Sequence, residues 1–199
     1  GALPGLLECC LDDLGRTGAE KVFARLDAAS PLLPVVLESG FLTYREETLF
    51  SRSPGRAAVP DAGLRAVTPG DSYLIYRLYN ATVPERVRRC EAATYSEWQA
   101  AQERRWLKNG AQLVREREGA IEARVSAARL GSAVQVELVL AASAREQAPA
   151  LVDAAIAAVE GAGLPVFALV AADAGLESTF EAAGFSAQRD FVSLFRRTT

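Results

Sequence analysis

The chain has 199 residues, half of them apolar and 24% charged, with 22 basic against 25 acidic side chains. That suits a compact folded protein, and a formal charge of −3 supplies no positive field to gather nucleic-acid phosphates. Histidine is absent, which removes imidazole-based triads, histidine-ligated zinc and histidine proton shuttles, and leaves carboxylates, tyrosine, lysine or water for acid–base work.

Three cysteines, Cys9, Cys10 and Cys90, form neither a metal-ligand cluster nor a secreted disulfide framework, so no metal is expected. Residues 1–20 carry Glu8, Asp12, Asp13 and Arg16 where a signal peptide needs an unbroken apolar run, and no stretch is long enough for a membrane span. The expectation is a cytoplasmic protein with reduced thiols. The chain starts at Gly1 with a helical pattern already under way, which suggests a processed or truncated N-terminus.

The first helix carries Leu6, Leu7, Cys10, Leu11 and Leu14 at amphipathic spacing and closes at Gly18. A strand through Val22-Phe23-Ala24, a second helix ending at Gly40-Phe41 and a further strand complete this section. Residues 51–63 (SRSPGRAAVPDAG) are rich in Pro, Gly and Ser and read as a connection. The expected organisation is therefore a unit over 1–52, a linker over 53–63 and a domain over 64–199.

In the second part a short strand is expected over 64–67. Thr68-Pro69-Gly70-Asp71 then starts a helix, with a capping hydroxyl before Pro and an acid three residues on. Helices follow over 71–79, 85–92 and 96–106. Strands over 111–118, 121–126 and 134–140 are divided by Gly119 and Gly131, which suit tight antiparallel turns. A helix over 149–161, a strand over 166–170, a helix over 173–182 and a strand over 185–195 end the chain.

The two ends of the chain echo each other. Pro4, Leu6 and Gly18 fall on Pro149, Leu151 and Gly163, and after a one-residue slip Val22-Phe23-Ala24 falls on Val166-Phe167-Ala168. Gly40-Phe41 likewise falls on Gly184-Phe185, and Arg45 on Arg189. The helical apolar set has its counterpart in Leu151, Val152, Ala155, Ile156 and Val159.

A helical start, an antiparallel meander and a parallel βαβ crossover ending in Gly184-Phe185, with Leu138-Val139-Leu140 ahead of Arg145, resemble the GNAT superfamily of acyl-CoA-dependent N-acetyltransferases. The resemblance covers 64–199 as a complete domain and 1–52 as the C-terminal half of another. It implies an α/β (α+β) fold, a mixed sheet flanked by helices with an N-terminal half-repeat. It also implies acetyl-CoA or another acyl-CoA as cosubstrate, with a small-molecule or peptide amine as acceptor. An αβαβ fragment exposes a sheet edge, so close packing of the two units or a homodimer is expected.

In that superfamily a splayed strand offers backbone groups to the pantetheine arm, and a glycine-containing loop at the next helix N-terminus holds the pyrophosphate. The resemblance carries these roles onto Leu138, Val139 and Leu140, and onto Arg145, Gln147, Ala148 and Ala150. The loop departs from the pattern: Ala148 replaces a glycine, Pro149 removes an N–H and Glu146 brings negative charge. The equivalent stretch of the first unit, Ala2-Leu3-Pro4-Gly5, departs equally.

Glu137 matches a strand position where some members carry the acid that deprotonates the amine; the other reading is a solvated or ion-paired strand carboxylate. Phe180, and Val36 in the half unit, stand where the superfamily has a tyrosine that protonates the leaving thiolate. Asp173 takes a place often held by a cofactor-contacting Asn, or else caps the helix that follows. Tyr73, Tyr76 and Tyr79 either line an acceptor pocket or pack on the sheet. Arg86, Arg88, Arg89, Arg104 and Arg105 read as a solvated helix face or as contacts to a phosphate. Cys90 has no histidine to activate it. Two functions are compatible with this pattern: an N-acyltransferase of weak or degenerate activity, and a non-catalytic binding or assembly module.

Overall fold

The computed structural model describes residues 2–55, 63–102, 110–160 and 163–198. The first part contains α1 (Ala2–Arg16), β1 (Lys21–Asp27), α2 (Leu33–Glu38) and β2 (Leu42–Arg52). Next come β3 (Leu64–Ala66), α3 (Ser72–Thr82), α4 (Glu85–Glu91) and α5 (Tyr95–Ala101), then the meander β4 (Gly110–Arg117), β5 (Ala120–Leu130) and β6 (Ala133–Leu140). The chain closes with α6 (Ala148–Ala158), β7 (Val166–Ala171), α7 (Glu177–Ala182) and β8 (Ser186–Arg197). Most of the expected connection over 53–63, the helix end expected near residue 106, and Arg104 and Arg105 lie outside the described residues.

The eight strands form one mixed sheet in the order β1-β8-β2-β7-β6-β5-β4-β3. Neighbours are antiparallel except β6 and β7. The meander turn is local: Glu118 and Gly119 both have positive φ, 53° and 76°, as a two-residue hairpin with the right-handed strand twist requires.

Helices cover both faces. Leu151, Val152, Ala155 and Ile156 of α6 and Phe180 of α7 pack on Val125, Val134, Val136, Ala168 and Phe50. On the opposite face Ile75 and Leu78 of α3 and Trp98 of α5 pack on Val114, Ile121 and Val139. A smaller core joins Leu11 of α1 and Val36 of α2 to Phe41 and Leu194. The first of these clusters has the most buried members, and buried apolar surface stabilises a fold by about 25 cal/mol per Å².

Two local readings change. The helix expected over 173–182 is broken, because Gly175 adopts φ +59° at the end of a 3-10 turn (Ala172–Ala174) and α7 starts only at Glu177. α1 also buries less of its expected apolar face: Leu11 is buried, whereas Leu6 and Leu14 are 62% and 40% exposed. α6, by contrast, lies across β4, β5 and β6, while β1 terminates the sheet.

The element order α1-β1-α2-β2 recurs in α6-β7-α7-β8, and the strands of these two stretches interleave in the sheet. β2 lies between β7 and β8, and β8 between β2 and β1. Each stretch also sends an arginine to the other. Arg52 donates to the Ala183 carbonyl at 3.1 Å and pairs with Asp153 on α6 at 2.8 Å, while Arg196 donates to the Ser39 carbonyl and pairs with Glu8 on α1 at 2.9 Å. Both arginines lie against the glycine that ends a short helix, Gly184 and Gly40, each with φ +82°.

Candidate functional site

The parallel ladder between β6 and β7 is short, pairing 134–136 with 166–168. Past it each strand stays pinned on its outer side: β6 to β5 as far as Leu140, opposite Ala123, and β7 to β2 as far as Ala171, opposite Glu47. Residues 137–140 and 169–171 therefore diverge and leave an opening at the carboxyl ends of two parallel strands. Open α/β sheets bind ligands at such ends, and the backbone groups that turn inward there need partners. The far wall of this opening rests on β2, from the N-terminal unit.

Two loops frame the mouth. After β6 the chain makes a 3-10 turn (Ala142–Gln147) into α6. Ala144 and Ala148 are buried in the core, the Ala148 N–H donates to the Arg145 carbonyl, and Pro149 occupies the first turn of α6. Arg145 reaches across to donate to the Ala174 carbonyl at 3.1 Å, joining this loop to the one after β7. A shallow cleft of about 240 Å³ between Arg145, Glu146, Pro149, Ser178 and Thr179 continues outward from the junction.

Three buried side-chain atoms have no hydrogen-bond partner among the described residues: Gln147 Oε1, Asp173 Oδ2 and Arg124 Nε. The first two belong to the loops that frame the mouth. Buried polar atoms are normally satisfied, so two vacant acceptors here suit a ligand bearing N–H donors, and the pantetheine arm of an acyl-CoA carries two amide N–H groups. The residues present fit that arm. They fit a pyrophosphate less well, since Glu146 and Pro149 stand where free amides would serve it best.

Asp173 does not cap α7. The residue before that helix is Leu176, and the Asp173 carboxylate, 8% exposed, accepts from Arg45 Nε and Nη2 at 3.2 and 3.0 Å. Arg45 also meets Glu91 on α4 at 3.2 Å, and Tyr79 on α3 donates to Glu91 at 3.1 Å. Burial works against the charge on Arg45, but Glu91, Asp173 and Glu47 outweigh it and hold the guanidinium above its ordinary pKa. Burial, reinforced by Glu91, likewise pushes the Tyr79 phenol up. This chain of groups ties α3 and α4 to the end of β7. Nothing in residue spacing indicated it, because Arg45 and Asp173 are far apart in sequence and meet only through the interleaved strands.

Glu137 sits at the base of the opening. It is exposed, faces Ser126 across the β5–β6 ladder, and alternates with Val136 and Leu138, which put it on the side of Val139 and α3 rather than α6. Leu138 and Val139 are half-buried and Leu140 is buried. Phe180 is 3% exposed and packs edge-on against Phe185 at 5.2 Å, so the expected hydroxyl position is filled by apolar core.

The tyrosine repeat is mainly packing: Tyr76 stacks with Tyr79 and contacts Tyr95 and Trp98. Among the α4 arginines, Arg88 bonds Asn80 and Arg89 pairs with Glu85. Cys90 bonds the Arg86 carbonyl, and burial raises its thiol pKa, which suits no nucleophilic role.

Sequence reasoning missed a second cleft, about 420 Å³, lined by Leu74, Arg77, Leu78, Ile121, Glu122 and Ser143. β5 is bulged beside it: Arg115 pairs with Ala123 but Glu116 with Ile121, so Glu122 is the extra residue. Its buried carboxylate takes Arg115 Nε at 2.9 Å. Simple alternation along β5 concealed it, since no glycine or proline marks the bulge.

No family model matches the sequence, and no curated protein is similar to it. Among solved structures the fold is that of GNAT acetyltransferases. A putative GNAT-family acetyltransferase from Novosphingobium aromaticivorans aligns at TM-score 0.58 and 18% identity over 90% of this chain and 75% of that one. A GCN5-related N-acetyltransferase from Kribbella flavida gives 0.58 and 19% over 97% and 74%. A tandem GNAT protein of the clavulanic acid biosynthesis pathway gives 0.53 and 15% over 98% and 69%. Among the described residues, no helix is long and apolar enough to cross a membrane.

Proposed function

We propose that this chain binds acyl-CoA in the opening between β6 and β7 and transfers the acyl group to an amine, as an N-acyltransferase in the cytoplasm. The observation that carries the reading is the three-pair ladder between β6 and β7, which leaves a splay where the fold's enzymes hold a thioester. In this reading the backbone of 138–140 lies along the pantetheine arm, with Gln147 and Asp173 offering their vacant acceptors to its amides. Arg145, Ala148 and Ala150 flank the phosphates, and the 240 Å³ cleft takes the adenosine end. Glu137 accepts the ammonium proton. The amine nitrogen then attacks the thioester carbon, the C–S bond breaks, and the second proton that the nitrogen sheds on becoming an amide is passed through water to the thiolate, because Phe180 has none to give.

The first 52 residues are read as the C-terminal half of a second GNAT-like repeat. The interleaved strand order and the reciprocal Arg52 and Arg196 bridges support this, since a repeat would produce both.

A non-catalytic binding module is the second reading. It is favoured by the Arg145 bridge across the mouth and by the absence of a hydroxyl at Phe180. Acetyl-CoA separates the two. A ligand of the native state at a hundred times its dissociation constant stabilises by about 2.7 kcal/mol, so millimolar acetyl-CoA raises the melting temperature under either reading that retains the cleft, and thiol release with an amine panel marks the enzyme. Glu137→Gln keeps the thermal shift and lowers kcat by about 10²–10⁴, the range for a lost general base. An unchanged kcat across pH removes Glu137 from the chemistry, and no thermal shift with acetyl-CoA rejects the cleft.

A further inference from the structure

The 420 Å³ cleft carries polar groups that acyl transfer does not use. Its apolar wall is formed by Leu74 and Leu78 of α3, Ile121 of β5 and Ala141 after β6. Glu122, 7% exposed, and Ser143 lie together on the same lining. Glu122 is fixed from two directions: its Oε1 pairs with Arg115 Nε at 2.9 Å, and its main-chain carbonyl accepts the Ala141 N–H at 2.8 Å.

A carboxylate offers about four acceptor positions. Oε2 of Glu122 meets the Ser143 hydroxyl at 3.4 Å, longer than the usual O–H···O distance, so it retains room for a stronger donor. A hydrogen bond to an ionised acceptor is about twice as strong as one between neutral groups.

The charges around the cleft mostly cancel in pairs. Glu122 is answered by Arg115, and Glu118 on the lining lies 4.0 Å from Arg117. Arg77 of α3 also lines the cleft, is exposed, and has no ion pair or side-chain hydrogen bond among the described residues. The surplus is one positive charge. A cation entering here meets Arg77 and Arg117, with Arg115 behind Glu122, whereas a ligand of several negative charges meets Glu118 and Glu122.

We propose that this cleft binds a small apolar carboxylic acid with a hydroxyl group at its other end. The carboxylate pairs with Arg77, the apolar body covers Leu74, Leu78 and Ile121, and the hydroxyl donates to Glu122. Largely apolar walls with a few converging polar groups are the usual form of a small-molecule site. The proposal does not rest on the acyltransferase reading, because this lining shares no residue with 138–140 or with the cleft beside Arg145. The surplus positive charge also disfavours an amine here, which separates this ligand from the acceptor of an acyl group.

The test uses four related molecules on the intact protein: para-hydroxyphenylpropanoate, phenylpropanoate, which lacks the hydroxyl, para-hydroxyphenylpropanamide, which lacks the charge, and tyramine, which reverses it. Binding is read from the Ile121 δ-methyl resonance, identified by its loss in Ile121→Val. The hydroxy acid is expected to shift it saturably and to bind about tenfold or more tighter than either the plain acid or the amide, the factor for one hydrogen bond to a charged group. Arg77→Met brings the acid and the amide to similar affinity, and Glu122→Gln does the same for the hydroxy acid and the plain acid.

No saturable shift with the hydroxy acid at millimolar concentration, or tyramine binding as tightly, overturns the proposal. An acid-to-amide preference that survives Arg77→Met, or equal binding of the two acids by the wild-type protein, overturns it too. Glu122→Gln takes from Arg115 its charged partner; should that variant fail to fold, the wild-type ratios and Arg77→Met, at an exposed helix position, still decide. Repeating the titration with saturating acetyl-CoA is expected to leave the hydroxy-acid affinity unchanged, and competition between the two overturns the assignment of a separate site. Hydroxy-acid binding with no acetyl-CoA binding upholds this site while rejecting the opening between β6 and β7.

Discussion

Arg45 shows how much one residue of the N-terminal unit contributes to the candidate site. Its side chain is 16% exposed and holds two carboxylates, Asp173 after β7 and Glu91 on α4. Replacing a buried ion pair with apolar groups is often tolerated, but removing one partner leaves the other charge stranded. Arg45→Met is therefore expected to cost about 3–5 kcal/mol in denaturant unfolding, and Asp173→Asn in the Arg45→Met background to recover part of it. A loss below about 1 kcal/mol means that solvent already satisfies these carboxylates. The sequence made Asp173 visible as an acid at the start of an expected helix, read as a cap or a cofactor contact, but its partner was not legible. Helix caps are local and can be read from a few neighbours, whereas the Arg45–Asp173 contact depends on strand order.

At the scale of elements, the meander, the βαβ crossover and the two Gly-Phe junctions were legible because each rests on short-range chemistry: alternation, helical periodicity and glycines that take positive φ. Two features were not: the break at Gly175 hides inside a helical pattern that an isolated glycine does not interrupt on paper, and the bulge at Glu122 carries no marker. The splay of β6 from β7 was expected through the resemblance alone, because it is a property of their outer partners. Those partners raise a further expectation. Arg52 closes the end of α7 through the Ala183 carbonyl, Asp153 and the ring of Phe185, 5.1 Å away. Charge-assisted bonds of this kind contribute about 1.5–3 kcal/mol. Arg52→Ala should cost a comparable amount, and Arg52→Lys, which lacks the planar fork, should recover less than half of it by equilibrium unfolding. Full recovery by Lys means that charge alone holds the helix end.

At the scale of the whole molecule, the position of β2 between β7 and β8 gives the sharpest test of the architecture. β7 and β8 are joined by α7 yet are not neighbours, because β2 lies between them and pairs with both. β1 then covers the outer edge of β8. Residues 64–199 alone would have β7 unpaired on one side and β8 unpaired on both, with Phe50 missing from the main core, where it is 2% exposed and meets Phe180 at 6.0 Å. Loss of a large buried aromatic costs about 3–5 kcal/mol on its own, of the same order as the stability of many domains. The 64–199 fragment is accordingly expected to show no cooperative unfolding and to bind acetyl-CoA only after residues 1–55 are supplied in trans, when β2 can re-enter the gap. A fragment that melts cooperatively by itself, with amide exchange protecting a direct β7–β8 ladder, would mean that β8 can move into the place of β2. The N-terminal unit would then be an addition to a self-sufficient domain rather than a wall of its cleft.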